Sequence, residues 1–178
     1  MFLILSDDAH QSVGKRLYET LHTKTNDVQY ISVSNLNIST CYNCNYCHTK
    51  EYGKCCIKDD MQQLLYEVAK ATHTILVCPL SFGSYSSKIK KAFDRLVVLG
   101  DTHYYEVNGE LVKGTNTAQG GIWAIGVKDH CNLEEEKLFT HLVEENRKIM
   151  NVKGKGIVVE ENPDQDKLNQ FAEVILNA

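Results

Sequence analysis

Proline is scarce in this sequence. There are only two, and both fall at the ends of regular runs: Pro79 stops an apolar stretch and Pro163 precedes a helical one. A surplus of positive charge is missing too. The 19 basic and 23 acidic residues give a net charge of −4, which argues against a general binder of nucleic acid or anionic membrane. Nor is there a long hydrophobic run. The N-terminal apolar stretch, Met1 to Leu5, is too short for a signal peptide or a membrane span, so a cytoplasmic location is expected. No internal repeat, low-complexity tract or linker divides the chain, and 178 residues suit one domain over 1–178.

Cysteine, by contrast, is abundant. Seven are present: Cys41, Cys44, Cys47, Cys55, Cys56, Cys78 and Cys131, the first five within residues 41–56. In a reducing compartment such a group is more often metal-binding or catalytic than a disulfide framework, and an odd total argues against complete pairing.

Short apolar runs alternate with helical patterns along the rest of the chain. Phe2 to Leu5, Val28 to Val33, His73 to Cys78, Gly121 to Val127 and Gly156 to Val159 read as buried strands. Between and after them lie five helical patterns. The first, from Ser12 to about Thr23, buries Val13, Leu17 and Leu21. The second buries Met61, Leu64, Leu65 and Val68, with Asp60 and Gln63 as its capping box. The third runs from Ser86 to Leu99 and buries Ile89, Phe93, Leu96 and Val97. The fourth, capped by Asn132 with Glu135, buries Phe139, Leu142, Val143 and Met150. The fifth opens at Pro163 and Asp164 and buries Leu168, Phe171, Ala172 and Ile175. Strict alternation predicts a doubly wound α/β fold, and five parallel strands suit its flavodoxin-like member. Asn108-Gly109, between Tyr104 to Val107 and Leu111 to Gly114, signals a β-hairpin inserted over 101–118, before the fourth strand.

In such sheets ligands bind beyond the carboxyl ends of the strands, where the strand order reverses. Three loops reach that edge. The first, Ser6 to Ser12, leads into a helix N-terminus and so suits a phosphate. Ser6, Ser12 and the backbone amides of Val13 and Gly14 are its donors, with Lys15 and Arg16 close by. Asp7 and Asp8 share this loop and would repel a phosphate unless they point away. The second, Pro79-Leu80-Ser81-Phe82-Gly83-Ser84-Tyr85-Ser86, combines a glycine for close backbone approach with Phe82 and Tyr85 to lie against a flat ring. It also reads as a plain strand-to-helix connection with a serine cap. The third, Lys128 to Asn132, contains Cys131, a reactive thiol or a spectator.

Cys41, Cys44, Cys47 and Cys55 are spaced C-x2-C-x2-C-x7-C. Four thiolates suit an iron–sulfur cluster or structural zinc, and three cysteines in a row at this spacing lean toward iron–sulfur. Cys56 and His48 are substitute ligands. A cysteine-rich loop without metal is the bland alternative. Cys78, ending a buried strand, reads as core.

Cys41-Tyr-Asn-Cys-Asn-Tyr-Cys47, followed by Gly53-Lys-Cys-Cys-Ile-Lys-Asp-Asp-Met61, resembles the signature of iron–sulfur flavoproteins and related NAD(P)H-dependent FMN reductases. Pro79-Leu80-Ser81-Phe82-Gly83-Ser84 and the following Phe93-Asp94-Arg95-Leu96 resemble their flavin loop and the helix behind it. The resemblance covers roughly residues 1–150. It implies a flavodoxin-like oxidoreductase with bound FMN and NAD(P)H or a redox protein as electron donor, assembled as a homodimer or homotetramer. It places Pro79, Leu80, Ser81, Phe82 and Gly83 at the isoalloxazine ring and Ser6 and Ser12 near the phosphate. Cys41, Cys44, Cys47 and Cys55 would hold a [4Fe-4S] cluster. A cluster-free quinone, azo or flavin reductase and a non-enzymatic domain with a zinc or free-thiol loop are the alternatives. The family's Gly-Ser-Pro-Arg-like opening is replaced here by Leu5-Ser6-Asp7-Asp8.

Overall fold

The computed structural model describes residues 1–7, 13–115, 117–118, 120–130 and 133–178. Ser12, Asp8, Cys131 and the capping residue Asn132 lie outside the described residues. The five apolar runs form one parallel sheet of β1 (Phe2–Ser6), β2 (Val28–Ser32), β3 (His73–Pro79), β6 (Gly121–Val127) and β7 (Gly156–Val159), in the order β2-β1-β3-β6-β7, and β2, expected to be buried, is only half-buried because it lies at the sheet edge. Counting parallel strands alone, this is the flavodoxin-like order 2-1-3-4-5. The reversal falls at β1, which pairs with β2 on one side and β3 on the other; Ser6 stands beside Ser32 and Val77.

Continuous apolar strands bury both sheet faces, and the helices divide accordingly. On one face, α1 (Val13–His22) and α6 (Gln165–Leu176) cover Ile4, Ile75, Val77, Trp123 and Ile125. On the other, α3 (Met61–Lys70), α4 (Ser87–Arg95) and α5 (Leu133–Ile149) cover Leu3, Leu5, Leu76 and Ala124. The cysteine-rich segment, with its short helix α2 (Tyr46–Thr49), joins this second face through Ile38, Cys47 and Cys55.

β4 (Tyr105–Val107) and β5 (Glu110–Val112) form a separate antiparallel hairpin before β6. Asn108 and Gly109, at φ 52° and 81°, supply the left-handed pair that a two-residue hairpin turn requires. The turn sits where the sequence places it, with strands shorter by a residue or two.

Two local expectations are corrected. The helix expected to run to Leu99 stops at Arg95 and tightens into a 3-10 turn, Leu96–Leu99. That change of pitch turns Val97 outward, to 37% exposure, while Arg95 is fully buried. The capping box of α3 does not form. Asp60 accepts from the Asn37 N–H and Gln63 donates to Glu67, so the carboxylate serving Met61 N–H is that of Asp59. No helix among the described residues is long and apolar enough to cross a membrane.

Candidate functional site

At the order reversal, the loops after β1 and β3 leave the sheet side by side. Asp7 N–H still donates to the Val77 carbonyl at 2.8 Å, and Leu80 N–H to the Val127 carbonyl at 2.8 Å. In an open α/β sheet the ligand crevice is expected between such anchors.

Ser81 and Ser84 exchange backbone hydrogen bonds at 3.0 and 2.9 Å, closing a two-residue turn with Phe82 and Gly83 at its tip. Both tip residues are left-handed, at φ 50° and 71°. Gly83 is required twice over, because a Cβ there would also meet Leu138 Cβ at 2.8 Å. Phe82 accepts the backbone strain and stands 93% exposed. The two aromatics of this loop therefore separate. Tyr85 does not face the crevice as a ring platform; it is core, packed on Phe93 and Phe139, with its hydroxyl accepting from Asn146 at 3.1 Å. Burial pushes its phenol up to about 12. Leu80 is buried, Pro79 half-buried and Ser81 exposed. Ser86 caps α4 by accepting from Ile89 N–H. Beneath the loop, burial pushes the Cys78 thiol up to about 12, so it is core as expected.

On the β1 side, Ser6 is buried against the first turn of α1. A Cβ on Gly14 would come within 2.4 Å of its Oγ, which explains the glycine. Val13 is buried, so its side chain belongs to the core and only its backbone faces the loop question. Arg16 donates to Pro163 O and Gln165 Oε1, away toward α6. Asp7 is also turned inward: its Oδ1 accepts from Ser34 Oγ at 2.7 Å and lies 3.8 Å from Lys88 Nζ. Lys88 thus brings a cation from the first turn of α4 to the crevice. The sequence reading passed over it. Its signal was positional: a lysine in the first turn after the ring loop, where the helix dipole disfavours a cation.

The cysteines occupy a second site on the α3–α5 face. Cys41, Cys44, Cys47, Cys55 and Cys56 line one pocket with His48, Ile57, Arg95, Val97 and Val98. Asn43 and Asn45 make this possible. At φ 51° and 59° they reverse the backbone between the cysteines, a conformation asparagine tolerates better than most residues. Six cysteines among the described residues are free thiols. Cys44 Sγ lies 3.6 Å from Cys56 Sγ, and the Tyr46 backbone followed by this thiol contact lowers the Cys44 pKa. Burial raises that of Cys47. No three His, Cys, Asp or Glu side chains among the described residues are gathered around a single metal ion.

Asp59 closes the segment. Burial would raise its pKa, but hydrogen bonds from Arg95 and from the Ser39 and Met61 N–H groups, with the Arg95 charge, outweigh it and the net shift is downward. Lys113, after the hairpin, reaches the same segment, with Nζ 3.4 Å from His48 Nε2.

A family model described as NADPH-dependent FMN reductase matches residues 3–164. The chain belongs to this family. An iron-sulfur flavoprotein of Methanocaldococcus jannaschii is 36% identical over 69 residues, which are 39% of this chain and 35% of that protein. One of Archaeoglobus fulgidus is 30% identical over 95 residues, 53% of this chain and 47% of that protein. These matches span less than half the length of either relative. Among solved structures, an FMN-dependent NADH-azoreductase from Bacillus anthracis in complex with FMN is similar at a TM-score of 0.61 and 13% identity, covering 98% of this chain and 95% of that one. A Streptococcus mutans protein gives a TM-score of 0.65 at 15% identity, covering 99% of both chains. At such identities the likeness is one of fold.

Proposed function

We propose that this member of the FMN reductase family is an FMN-dependent oxidoreductase. It draws electrons from NAD(P)H or a reduced redox protein and hands them to a small-molecule or redox-protein acceptor. The observation that carries this reading is the Phe82-Gly83 turn, which presents an exposed ring on a hydrogen-bonded loop at the sheet's order reversal. The turn is closed by its own hydrogen bonds, so its exposed ring is presented without rearrangement. FMN, when bound, supplies the hydride and electron chemistry.

In this reading, Pro79, Leu80, Ser81, Phe82 and Gly83 meet the isoalloxazine ring. Ser6, Ser12 and the Val13 amide serve the phosphate, and Asp7 is held off it by Ser34 and Lys88. Leu133 and Leu138, both exposed on α5 and the latter beside Gly83, support assembly with a second copy as a homodimer or homotetramer. The thiol-rich segment supports a reducing, cytoplasmic setting. Titrating flavin-free protein with FMN is expected to quench flavin fluorescence. The loaded protein is expected to oxidise NADPH or NADH when a quinone is supplied. Phe82→Ala is expected to weaken FMN binding by about 1 kcal/mol, roughly fivefold. Protein that takes up no FMN overturns the proposal.

A second cofactor belongs to this reading. Five thiols line the pocket together with Tyr42, Asn43, Asn45, Tyr46, His48 and Arg95, and four thiolates are the donor set of an iron–sulfur cluster. Cys41, Cys44, Cys47 and Cys55 would hold it. Iron and sulfide assay of anaerobically prepared protein separates this from a cluster-free quinone, azo or flavin reductase.

A further inference from the structure

A buried cation forms part of the wall of the cysteine pocket. Arg95 is fully buried, and its guanidinium is fixed from several sides. Nη1 donates to both oxygens of Asp59, at 2.7 and 2.5 Å, and to the Ser39 carbonyl at 3.4 Å. Nη2 donates to the Ile57 carbonyl at 3.3 Å and to Cys55 Sγ at 3.4 Å. Nε is buried without a partner among the described residues. Asp59 is held in turn by the Ser39 and Met61 N–H groups, so the fork cannot swing away.

The clasp on the loop needs only Nη1 and Asp59. The Nη2 contact with sulfur is additional to it, and it selects between neighbours. Cys55 is half-buried and packs against the core, whereas Cys56 is exposed and lies against Cys44. A hydrogen bond to a ligating sulfur withdraws charge from it and favours the more negative, reduced state of a cluster.

We propose that Arg95 is a positioning residue of the cysteine site: through Nη2 on Sγ it selects Cys55 over Cys56 as the fourth thiolate and raises the reduction potential of an iron–sulfur cluster held there. The proposal rests on the cluster reading above.

The test is anaerobic reconstitution of the full chain with ferrous iron and sulfide, followed by iron content, visible absorption and a spectroelectrochemical midpoint. Cys55→Ser is expected to lose cluster iron and Cys56→Ser to keep it. Arg95→Lys keeps a cation but loses the fork, and its cluster is expected at a more negative midpoint than wild type. A wild-type protein that binds no cluster overturns the cluster reading and this proposal together. A wild-type cluster whose midpoint is unmoved in Arg95→Lys overturns the proposal alone. So does a cluster kept in Cys55→Ser and lost in Cys56→Ser, and that pair decides the matter if Arg95→Lys does not fold.

Discussion

Gly83 and Gly109 have nearly the same left-handed backbone, at φ 71° and 81°, but different surroundings. Nothing lies within 4 Å of a Cβ built on Gly109, whereas one on Gly83 runs into Leu138 at 2.8 Å. The pair separates backbone strain from collision. Gly109→Ala is expected to cost about 1 kcal/mol, the left-handed penalty alone. Gly83→Ala is expected to cost roughly 2–4 kcal/mol, because overpacking adds to that strain. Urea denaturation of both variants measures the difference. At this scale the sequence was legible wherever one residue type answers one need, as in Asn108-Gly109 or the cysteine spacing. It was not legible where a side chain's direction decides. Asp7 reads as an obstacle to phosphate, and only its bond to Ser34 shows the carboxylate turned inward. Tyr85, equally aromatic to Phe82, went to the core while Phe82 stayed exposed.

At the scale of elements, α4 and the segment before α3 depend on one ion pair. Arg95 follows Ile89 and Ala92 at three-residue spacing and is buried because the segment carrying Ser39, Cys55, Ile57 and Asp59 closes over its guanidinium; the 3-10 turn that follows at Leu96 then shifts the pitch. No period count anticipates such a shift, which is why Val97 was expected inside. Asp59→Asn leaves the guanidinium buried and uncompensated, and is expected to cost about 3–5 kcal/mol of local stability. Hydrogen exchange at the Ser39 and Met61 amides, both donors to Asp59, reads that loss directly. The same carboxylate sets an acid limit. Its folded pKa lies below the ordinary carboxylate value, so its contribution is complete above that value and disappears as the pH falls through the lowered one. Protection of the two amides is expected to fall on acidification in wild type and to be low and nearly flat with pH in Asp59→Asn.

For the whole molecule, the alternating pattern carried the architecture. All five strands, their parallel pairing and the hairpin follow from apolar runs, glycine and chain order. One sheet lies between two separate apolar layers, and each layer has a large aromatic against it: Phe139 on one face and Phe171 on the other. Since both layers grip the same strands, Phe139→Ala and Phe171→Ala are each expected to lower the midpoint of a single unfolding transition by about 3–5 kcal/mol equivalent, with the denaturant slope unchanged. Circular dichroism and tryptophan fluorescence through Trp123 should report the same midpoint. Separate midpoints would mean the two layers unfold independently.

The Arg95 bond to Cys55 closes a chord of 40 residues. On a ribosome adding about 5–20 residues per second, the last thiol of the set is made roughly 2–8 s before the arginine that steadies it. Throughout that interval the five thiols hang on an unclasped tether, open to any passing metal ion or oxidant. On the cluster reading, loading of the site is therefore tied to when the chain is finished as well as to what it contains, and the nascent protein is most vulnerable before its fourth helix has emerged.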